Sequence, residues 1–573
     1  MHKLPILQGG TMRKALSLVV VVTMLAIAFA GCSGNSEGSK QQGVSDAQGE
    51  TKKFGNADNT VDITEIKASG TKNGNVTMGP DSEKKTYVGI ASRTFETLDP
   101  FYLSGSIGQR ISSAIYEPLW DYEFGADSEC GILVKDWTIS DDGFTVDAIL
   151  YEDIYDWEGN HITASDIEWY YNQYLTIKTL KNIKSLEATG EYSFKMEMTL
   201  AYFPGMLITA AGNLRGVSQA AYEADPDRFV SDPVGTGPYR CIEFISGNKA
   251  VFEQTYKYWG DFGRLPRHRQ ANVDVVGYNV ILESSQKQTA IETNTIQLTE
   301  ITTSLAENVS KAEHVNIHQM PQAYPYVLMF NCAPGSIFEN NLTLRQAIAY
   351  GIDWNAICYS ATAGTGIYNG TFGYNGISGY DTAWEHKYYE YNLDKAKELL
   401  REAGYSEGEL TLRFVYNSSE PEVAVPLQAS LMQMGIKLEL QMLDEAQYLT
   451  ARNSATDLSW DLFNYGSTTK GFIMNVFKAI WDNTLYDFGA LCGTNDEEMN
   501  EIMLKALYDQ TPENLTELFD ATMEKCMYIP QYQGFDFIAA YDKIESPVRA
   551  GDLETMAQAS IFADDYDVYY NGQ

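Results

Sequence analysis

The chain has 573 residues, with 77 Asp and Glu against 41 Lys and Arg, and a formal net charge of −36. Since 44% of its residues are hydrophobic and 12% are aromatic, it holds enough apolar material for a folded core, which excludes a largely disordered chain. At about 100 to 200 residues per domain, the length also excludes a single small module. So negative a chain, without a compensating basic stripe, excludes nucleic acid as a partner.

The N-terminus has the pattern of an export signal. Arg13 and Lys14 precede an apolar run over residues 15–30, which ends at Gly31 and Cys32. The run is at the short limit for a transmembrane helix and slightly long for the apolar part of a signal peptide. A small residue followed by cysteine at the end of such a run resembles a bacterial lipobox.

A lipobox implies that the thiol of Cys32 receives a diacylglyceryl group and that the chain is cut just before it. We therefore expect a signal peptide over residues 1–31 and a protein held by lipid at the extracytoplasmic face of the cell membrane. A single-pass anchor is the alternative, and Met12 is a second possible start of translation. Because the leader holds three cations and no acid, the remaining residues carry a formal charge of −39.

The segment over residues 32–85 is rich in Gly, Ser, Asn and Lys and has almost no aromatic residues. Such a segment buries too little apolar surface to offset its ordering entropy. It is expected to be a flexible tether between the lipid and the folded body.

The folded body begins with a mixture of strands and helices. Residues 85–91 alternate like a strand, Asp99 and Pro100 form a turn, and residues 107–116 are helical. Residues 137–150 read as two strands joined at Asp-Asp-Gly, which predicts a hairpin.

Helix boundaries are also marked in the sequence. Thr163 is placed as the N-cap of a helix, with Asp166 three residues on, near the positive end of the helix dipole. Residues 394–402 form an amphipathic helix that ends before Gly404. The guanidinium of Arg345 is expected to hold neighbouring backbone or a carboxylate rather than ligand.

No catalytic or metal-binding motif is found. His314 and His318 are four residues apart, but residues 315–321 alternate like a strand that ends at proline, so a metal-binding helix face is not expected. The sequence has no HExxH, GxSxG, P-loop or dinucleotide motif, and we expect neither an enzyme nor a cofactor. The cysteines after Cys32 are far apart, and buried thiols are expected at Cys130, Cys241, Cys332, Cys358, Cys492 and Cys526.

Nine short segments in a fixed order carry a family resemblance. They are Leu98-Asp99-Pro100, Tyr116-Glu117-Pro118-Leu119, and the segments at residues 137–150, 157–166, 233–239, 344–353, 392–405, 431–440 and 528–532. Together they resemble the family 5 extracellular solute-binding proteins of ABC importers, the group of oligopeptide-, dipeptide- and nickel-binding lipoproteins. The resemblance covers roughly residues 86–545.

The resemblance implies an α/β, two-lobed periplasmic-binding-protein-like fold of class II, of the large type with an extra subdomain. The hinge would consist of two crossover strands, near residues 300–301 and 527–528. The implied parts are lobe I from residues 86–114, 231–304 and 526–573, an additional subdomain from residues 115–230, and lobe II from residues 305–525.

The implied function is that of a monomeric, lipid-anchored substrate-binding protein, which captures an oligopeptide between two closing lobes and delivers it to ABC permease subunits. In oligopeptide-binding members the extended ligand pairs its backbone with two protein segments. By similarity, the candidate ligand-binding residues here are Tyr102, Leu103, Ser104, Gly105, Tyr465, Gly466, Ser467, Thr468, Lys470 and Tyr532.

Lys470 departs from the family pattern. Oligopeptide binders place an acid about nine residues after the position of Asp461, where it pairs with the ligand's α-ammonium, and here that position holds Lys470. A cation there would repel a free amine by on the order of several kcal/mol. Three outcomes stay open: a peptide held by another acid such as Glu117 or Asp482, a ligand whose anion Lys470 accepts, or an uncharged ligand such as an oligosaccharide. A co-receptor for a peptide signal is the alternative role.

Overall fold

The structure is a computed structural model that describes residues 84–545, 560–561 and 568–569, except for gaps at 104, 122–128, 179, 181, 256–257, 261–264, 267–268, 270, 272, 323–324, 419, 455, 457, 468–471 and 484–488. Cys32, the expected signal peptide and almost all of the expected tether lie outside the described residues. Within the described ranges, no helix is long and apolar enough to cross a membrane.

Strands and helices are mixed along the whole described chain. The strands are β1 (Tyr87–Ser92), β2 (Trp120–Asp121), β3 (Cys130–Gly131), β4 (Val134–Ile139), β5 (Thr145–Leu150), β6 (Ile183–Ala188), β7 (Ser193–Met198), β8 (Tyr239–Ile245), β9 (Lys249–Gln254), β10 (Val275–Val280), β11 (Leu298–Ile301), β12 (Val315–Pro321), β13 (Tyr326–Phe330), β14 (Thr411–Asn417), β15 (Lys437–Leu443), β16 (Leu462–Gly466), β17 (Tyr528–Pro530), β18 (Phe535–Tyr541), β19 (Ile544–Glu545) and β20 (Ser560–Ile561). The helices are α1 (Gly105–Ile115), α2 (Ala164–Ile177), α3 (Met206–Ala211), α4 (Gln219–Ala224), α5 (Ser284–Glu292), α6 (Thr303–Val309), α7 (Leu342–Gly351), α8 (Trp354–Ala361), α9 (Leu393–Glu402), α10 (Ala424–Met432), α11 (Glu445–Arg452), α12 (Ile473–Trp481), α13 (Glu497–Tyr508) and α14 (Pro512–Lys525).

Two large mixed sheets carry the architecture. The first has seven strands in the order β12-β18-β11-β1-β10-β9-β8, and at its centre β1 runs parallel to both β10 and β11. The second has five strands in the order β15-β14-β16-β13-β17, with β14 parallel to both β15 and β16. These two sheets, with helices between the strands, confirm the expected α/β fold class.

A third sheet lies within residues 115–230, where an additional subdomain is expected. It has four antiparallel strands in the order β4-β5-β7-β6. Its first two strands form the predicted hairpin, and the turn contains Gly143 with a φ of 76°. That angle lies in the left-handed region, which glycine adopts without the strain that a side chain would impose.

The chain passes from the seven-stranded to the five-stranded sheet later than the family resemblance implied. β12 pairs with β18 from Val315↔Tyr541 to Pro321↔Phe535, so it belongs to the seven-stranded sheet. β17 pairs with β13 and belongs to the five-stranded sheet. The two crossovers therefore lie at residues 321–326 and 530–535, one strand further along the chain than the expected positions near 300–301 and 527–528.

The two crossover segments are hydrogen-bonded to each other. The backbone N–H of Gln322 donates to the carbonyl of Gly534 at 3.0 Å, and the side chain of Gln533 donates to the carbonyl of Gln322 at 3.1 Å. Gln533 also exchanges backbone hydrogen bonds with Ile367 at 3.0 and 2.7 Å. These contacts hold the two crossover segments against each other and against the loop that follows α8.

Candidate functional site

A cavity of about 740 Å³ lies between the seven-stranded and five-stranded sheets. Small-molecule sites occupy about 300–1,000 Å³, so this volume lies within their range. The crossover segments contribute Gln322, Gln531, Tyr532 and Gly534 to its lining. The cavity is therefore built where the two sheets join.

Several of the other lining residues follow the carboxyl ends of parallel strands. On the seven-stranded sheet, Arg93 follows β1, Thr302 follows β11, and Lys287 lies on α5, the helix after β10. On the five-stranded sheet, Glu420 follows β14 and Asn464 lies near the end of β16. Ligands of open α/β sheets bind at these strand ends, because the loops there enclose a crevice.

Three cations line the side formed by the seven-stranded sheet, and we call Arg93, Arg110 and Lys287 the cationic wall. Arg110 is buried and pairs with Glu300, with 2.5 Å between Nη2 and Oε1. Burial lowers the pKa of Lys287, an effect that Glu300 opposes and that Arg93 and Arg110 increase. Neither Arg93 nor Lys287 makes a side-chain hydrogen bond or ion pair with the described residues.

Two carboxylates line the side formed by the five-stranded sheet, and we call Glu420 and Glu422 the acidic wall. The hydroxyl of Tyr326 donates to Oε1 of Glu420 at 2.5 Å, and Asn464 donates to Oε2 at 3.2 Å. Gln531 in turn donates to the side-chain oxygen of Asn464 at 2.6 Å. Burial raises the pKa of Glu420, and the hydrogen bonds from Tyr326 and Asn464 oppose that rise.

Gly466 gives Tyr326 the space to reach Glu420. The two residues are opposite each other in the pairing of β13 with β16. A Cβ at position 466 would lie 2.7 Å from ring carbon Cε1 of Tyr326, closer than real contacts allow. A side chain there would push the tyrosine ring away from the carboxylate that it orients.

Of the described residues expected from the family resemblance, one lines the cavity and others are buried away from it. Tyr532 lines the cavity. Tyr465 is adjacent to the lining residue Asn464, but successive side chains of a strand point to opposite faces, and Tyr465 packs into the hydrophobic core. Ser467 is buried and donates its backbone N–H to the carbonyl of Pro325 at 3.3 Å.

Another part of the expected site follows the Asp99 turn. Asp99 accepts hydrogen bonds from the backbone of Phe101 and from Tyr222, at 2.9 and 3.0 Å, which fixes the predicted turn. Tyr102 is 58% exposed, and neither it nor Leu103 belongs to the described cavity lining. Gly105 is the first residue of α1. Ser104, Thr468 and Lys470 lie outside the described residues.

The two acids suggested in place of a family acid lie elsewhere. Glu117 is buried and accepts hydrogen bonds from Tyr258 and from Nε1 of Trp259, the latter at 2.9 Å. Asp482 is buried and pairs with Lys478 at 3.1 Å. Neither is part of the described lining, whose carboxylates are those of Glu300, Glu420, Glu422 and Asp536.

Sequence reasoning missed Arg93, Lys287 and Glu420. Each follows the carboxyl end of a strand that the structure shows to be parallel to a neighbour. A charged residue just after such a strand is a usable signal. It requires strand directions, which the sequence pattern of one strand does not reveal.

Comparison with known proteins establishes the family. The sequence profile described as "Bacterial extracellular solute-binding proteins, family 5 Middle" matches residues 131–481. The chain belongs to the family 5 solute-binding proteins. It is 24% identical over 468 residues to the glutathione-binding protein GsiB of Escherichia coli K12, covering 77% of this chain and 86% of GsiB.

Solved structures share the fold. DppA from Helicobacter pylori, in complex with the peptide STSA, superposes with a TM-score of 0.66 at 19% identity, covering 84% of this chain and 99% of DppA. NikA from Brucella suis, in complex with Fe(III)-EDTA, gives a TM-score of 0.68 at 16% identity, covering 83% of this chain and 100% of NikA. As a family 5 member, the protein is the extracytoplasmic substrate-binding component of an ABC importer, and it is a binding protein rather than an enzyme. Within the described part of the chain, no group of three or more metal-ligating side chains is found.

Proposed function

We propose that the protein captures an oligopeptide of a few residues in the cavity between its two large sheets and delivers it to the permease. The observation that carries this proposal is the lining, which combines free cations, carboxylates and amide side chains in about 740 Å³. A peptide offers charged ends and backbone groups to satisfy them. An uncharged oligosaccharide would leave the half-buried Lys287 without an opposite charge in the closed cavity, which costs free energy.

The relatives support the same ligand class. GsiB is named as a glutathione-binding protein, and DppA is in complex with a peptide. Closure would bring the seven-stranded and five-stranded sheets together around the ligand, with the crossovers at residues 321–326 and 530–535 as the hinge. In this proposal lobe I includes β12 and lobe II includes β17.

Calorimetry tests the ligand class. Full-length protein, freed of bound ligand by partial unfolding and refolding, is titrated with a pool of randomised tripeptides and with a pool of neutral oligosaccharides. We expect saturable binding of tripeptides and none of the sugars, because only the peptides satisfy the charged lining. Binding of the sugar pool with no binding of tripeptides would contradict the proposal.

Lipid anchoring is the second part of the proposal. We infer it from the apolar run that ends at Gly31-Cys32, since a diacylated cysteine and a tether hold a folded body at a membrane without a spanning helix. Cells fed labelled palmitate should incorporate it into the wild-type protein and not into a Cys32→Ser variant. Cys130→Ser is the matched control and should be labelled like the wild type, whereas label in Cys32→Ser would refute the anchor.

A further inference from the structure

The two walls of the cavity carry opposite charge. The acidic wall adds two carboxylates and no cation among the described lining residues of the five-stranded sheet. On the seven-stranded side, Glu300 and Asp536 stand against the three cations of the cationic wall. Apart from the Arg110–Glu300 pair, the lining cations and the acidic wall therefore lie on opposite sides of the cavity.

On the cationic side, the carboxylates already have partners. Glu300 is engaged by Arg110 at 2.5 Å, and Asp536 accepts a hydrogen bond from Gln322 at 3.4 Å. Arg93 and Lys287 have none among the described side chains. Burial and the nearby Arg93 and Arg110 lower the pKa of Lys287, whereas Glu300 opposes that effect. Like charges held together at the edge of a cavity are stabilised by a bound anion.

On the acidic side, hydrogen bonds hold the carboxylate of Glu420 in place but do not use all of its acceptor positions. Tyr326 donates a hydrogen bond to one of its two oxygens, and Asn464 donates a hydrogen bond to the other. An ionised carboxylate has about four acceptor positions, so about two are left for a ligand. Glu422 is exposed, lines the same cavity, and makes no hydrogen bond or ion pair with the residues that the structure describes.

We propose that Arg93 and Lys287 form a carboxylate-binding subsite on the seven-stranded side, while Glu420 binds the ligand's ammonium on the five-stranded side. The ligand is then a short zwitterion lying across the cavity, its negative end on one sheet and its positive end on the other. In an extended peptide each residue spans about 3.3–3.6 Å, so a tripeptide separates its end charges by about 10 Å. This inference rests on the proposed peptide-binding function and adds the direction in which the peptide lies.

The direction has a mechanical consequence. A ligand whose two ends are bound by different sheets bridges them, and each end group favours the closed arrangement only when the other end is also held. Loss of either charge from the ligand should therefore cost affinity, and the loss should depend on the protein residue that faces it. Double-mutant logic applied to ligand and protein isolates each contact.

The test uses full-length protein and randomised tripeptide pools in four forms: free ends, amidated C-terminus, acetylated N-terminus, and both ends blocked. For the wild type we expect amidation and acetylation each to weaken binding about tenfold or more, since each removes a charge-assisted hydrogen bond. In Lys287→Gln or Arg93→Gln the penalty for amidation should shrink, because one of the two cations that bind the carboxylate is lost, while the penalty for acetylation remains. In Glu420→Gln the penalty for acetylation should shrink, while the penalty for amidation remains.

Matched controls are Lys184→Gln on β6 and Glu439→Gln on β15, whose exposed side chains lie outside the described cavity lining. Both should keep the wild-type pattern. Thermal unfolding midpoints check that each variant is folded, and Arg93→Gln replaces Lys287→Gln if the latter unfolds.

Equal binding of free and amidated pools by the wild type, or an amidation penalty unchanged in both cation variants, would overturn the inference while leaving peptide binding intact. Failure of all four pools to bind the wild type would instead remove the proposed function and this inference together.

Discussion

His318 lies on β12 with its side chain in the interior, and it is 6% exposed. Neither ring nitrogen has a hydrogen-bond partner among the described residues. Burial lowers the pKa of His318 to about 4, because the charged imidazolium would lose its hydration. The folded protein therefore keeps this ring neutral over a pH range in which the unfolded chain protonates it.

That difference predicts a loss of stability in mild acid. Below a pH of about 6.5 the unfolded chain binds a proton that the folded protein accepts only near pH 4, so the free energy of unfolding falls as the pH falls through this window, by about 3 kcal/mol in all. His318→Leu should remove this contribution and leave stability at pH 7 equal or higher, since it also deletes unpartnered polar atoms.

Urea unfolding at pH 4.5 and pH 7 measures the effect. His314→Leu is the control, because His314 is half-buried and its Nε2 lies 3.3 Å from the carbonyl oxygen of Ile291. It should retain most of the wild-type dependence on pH. An unchanged difference between the two pH values in His318→Leu would show that other groups cause the acid sensitivity.

That Arg345 binds backbone rather than ligand was predictable from the sequence, whereas its partners Lys525 and Cys526, distant in the chain, were not. Arg345, expected to hold neighbouring backbone, donates to the carbonyls of Phe338, Lys525 and Cys526 at 2.7, 2.9 and 3.1 Å. Those contacts tie the start of α7 to the end of α14. Glu420 was not predictable, because its partners Tyr326 and Asn464 are brought to it by the five-stranded sheet rather than by nearby sequence.

Secondary-structure elements were also predictable where their causes lie within a few residues. α2 begins at Ala164 after the N-cap Thr163, and the backbone and hydroxyl of Thr163 both donate to Asp166 at 2.9 Å. α9 ends at Glu402, shortly before Gly404, whose φ is 92°. The strand expected at residues 315–321 in place of a metal-binding helix is β12. Caps, turns and alternation act within a few residues, so one sequence reveals them.

Sheet membership could not be read in the same way. β12 belongs to the seven-stranded sheet because β18, more than 200 residues away, pairs with it at Pro321↔Phe535 and beyond. β17 joins the five-stranded sheet through β13, although only four residues separate it from β18. A strand's own alternation predicts that it is half-buried but not which neighbour covers its edge. The crossovers were therefore misplaced by one strand.

At the scale of the molecule, the cavity is a product of two sheets that face each other with the carboxyl ends of their parallel strands. Composition carried no information about it: the net charge of −36 describes the surface as a whole. Within the cavity of about 740 Å³, Arg93 and Lys287 instead lie on one side and Glu420 on the other. This local separation of charge is what makes the binding site selective in our account.

Native mass spectrometry of full-length protein, purified without denaturation, tests the central claim most directly. We expect an excess mass that is lost on denaturation and that fragments as a peptide of a few residues with both ends unblocked. A bound oligosaccharide would contradict the claim. The claim would also be contradicted if the protein carried no excess mass and bound nothing from a tripeptide pool added to the same solution.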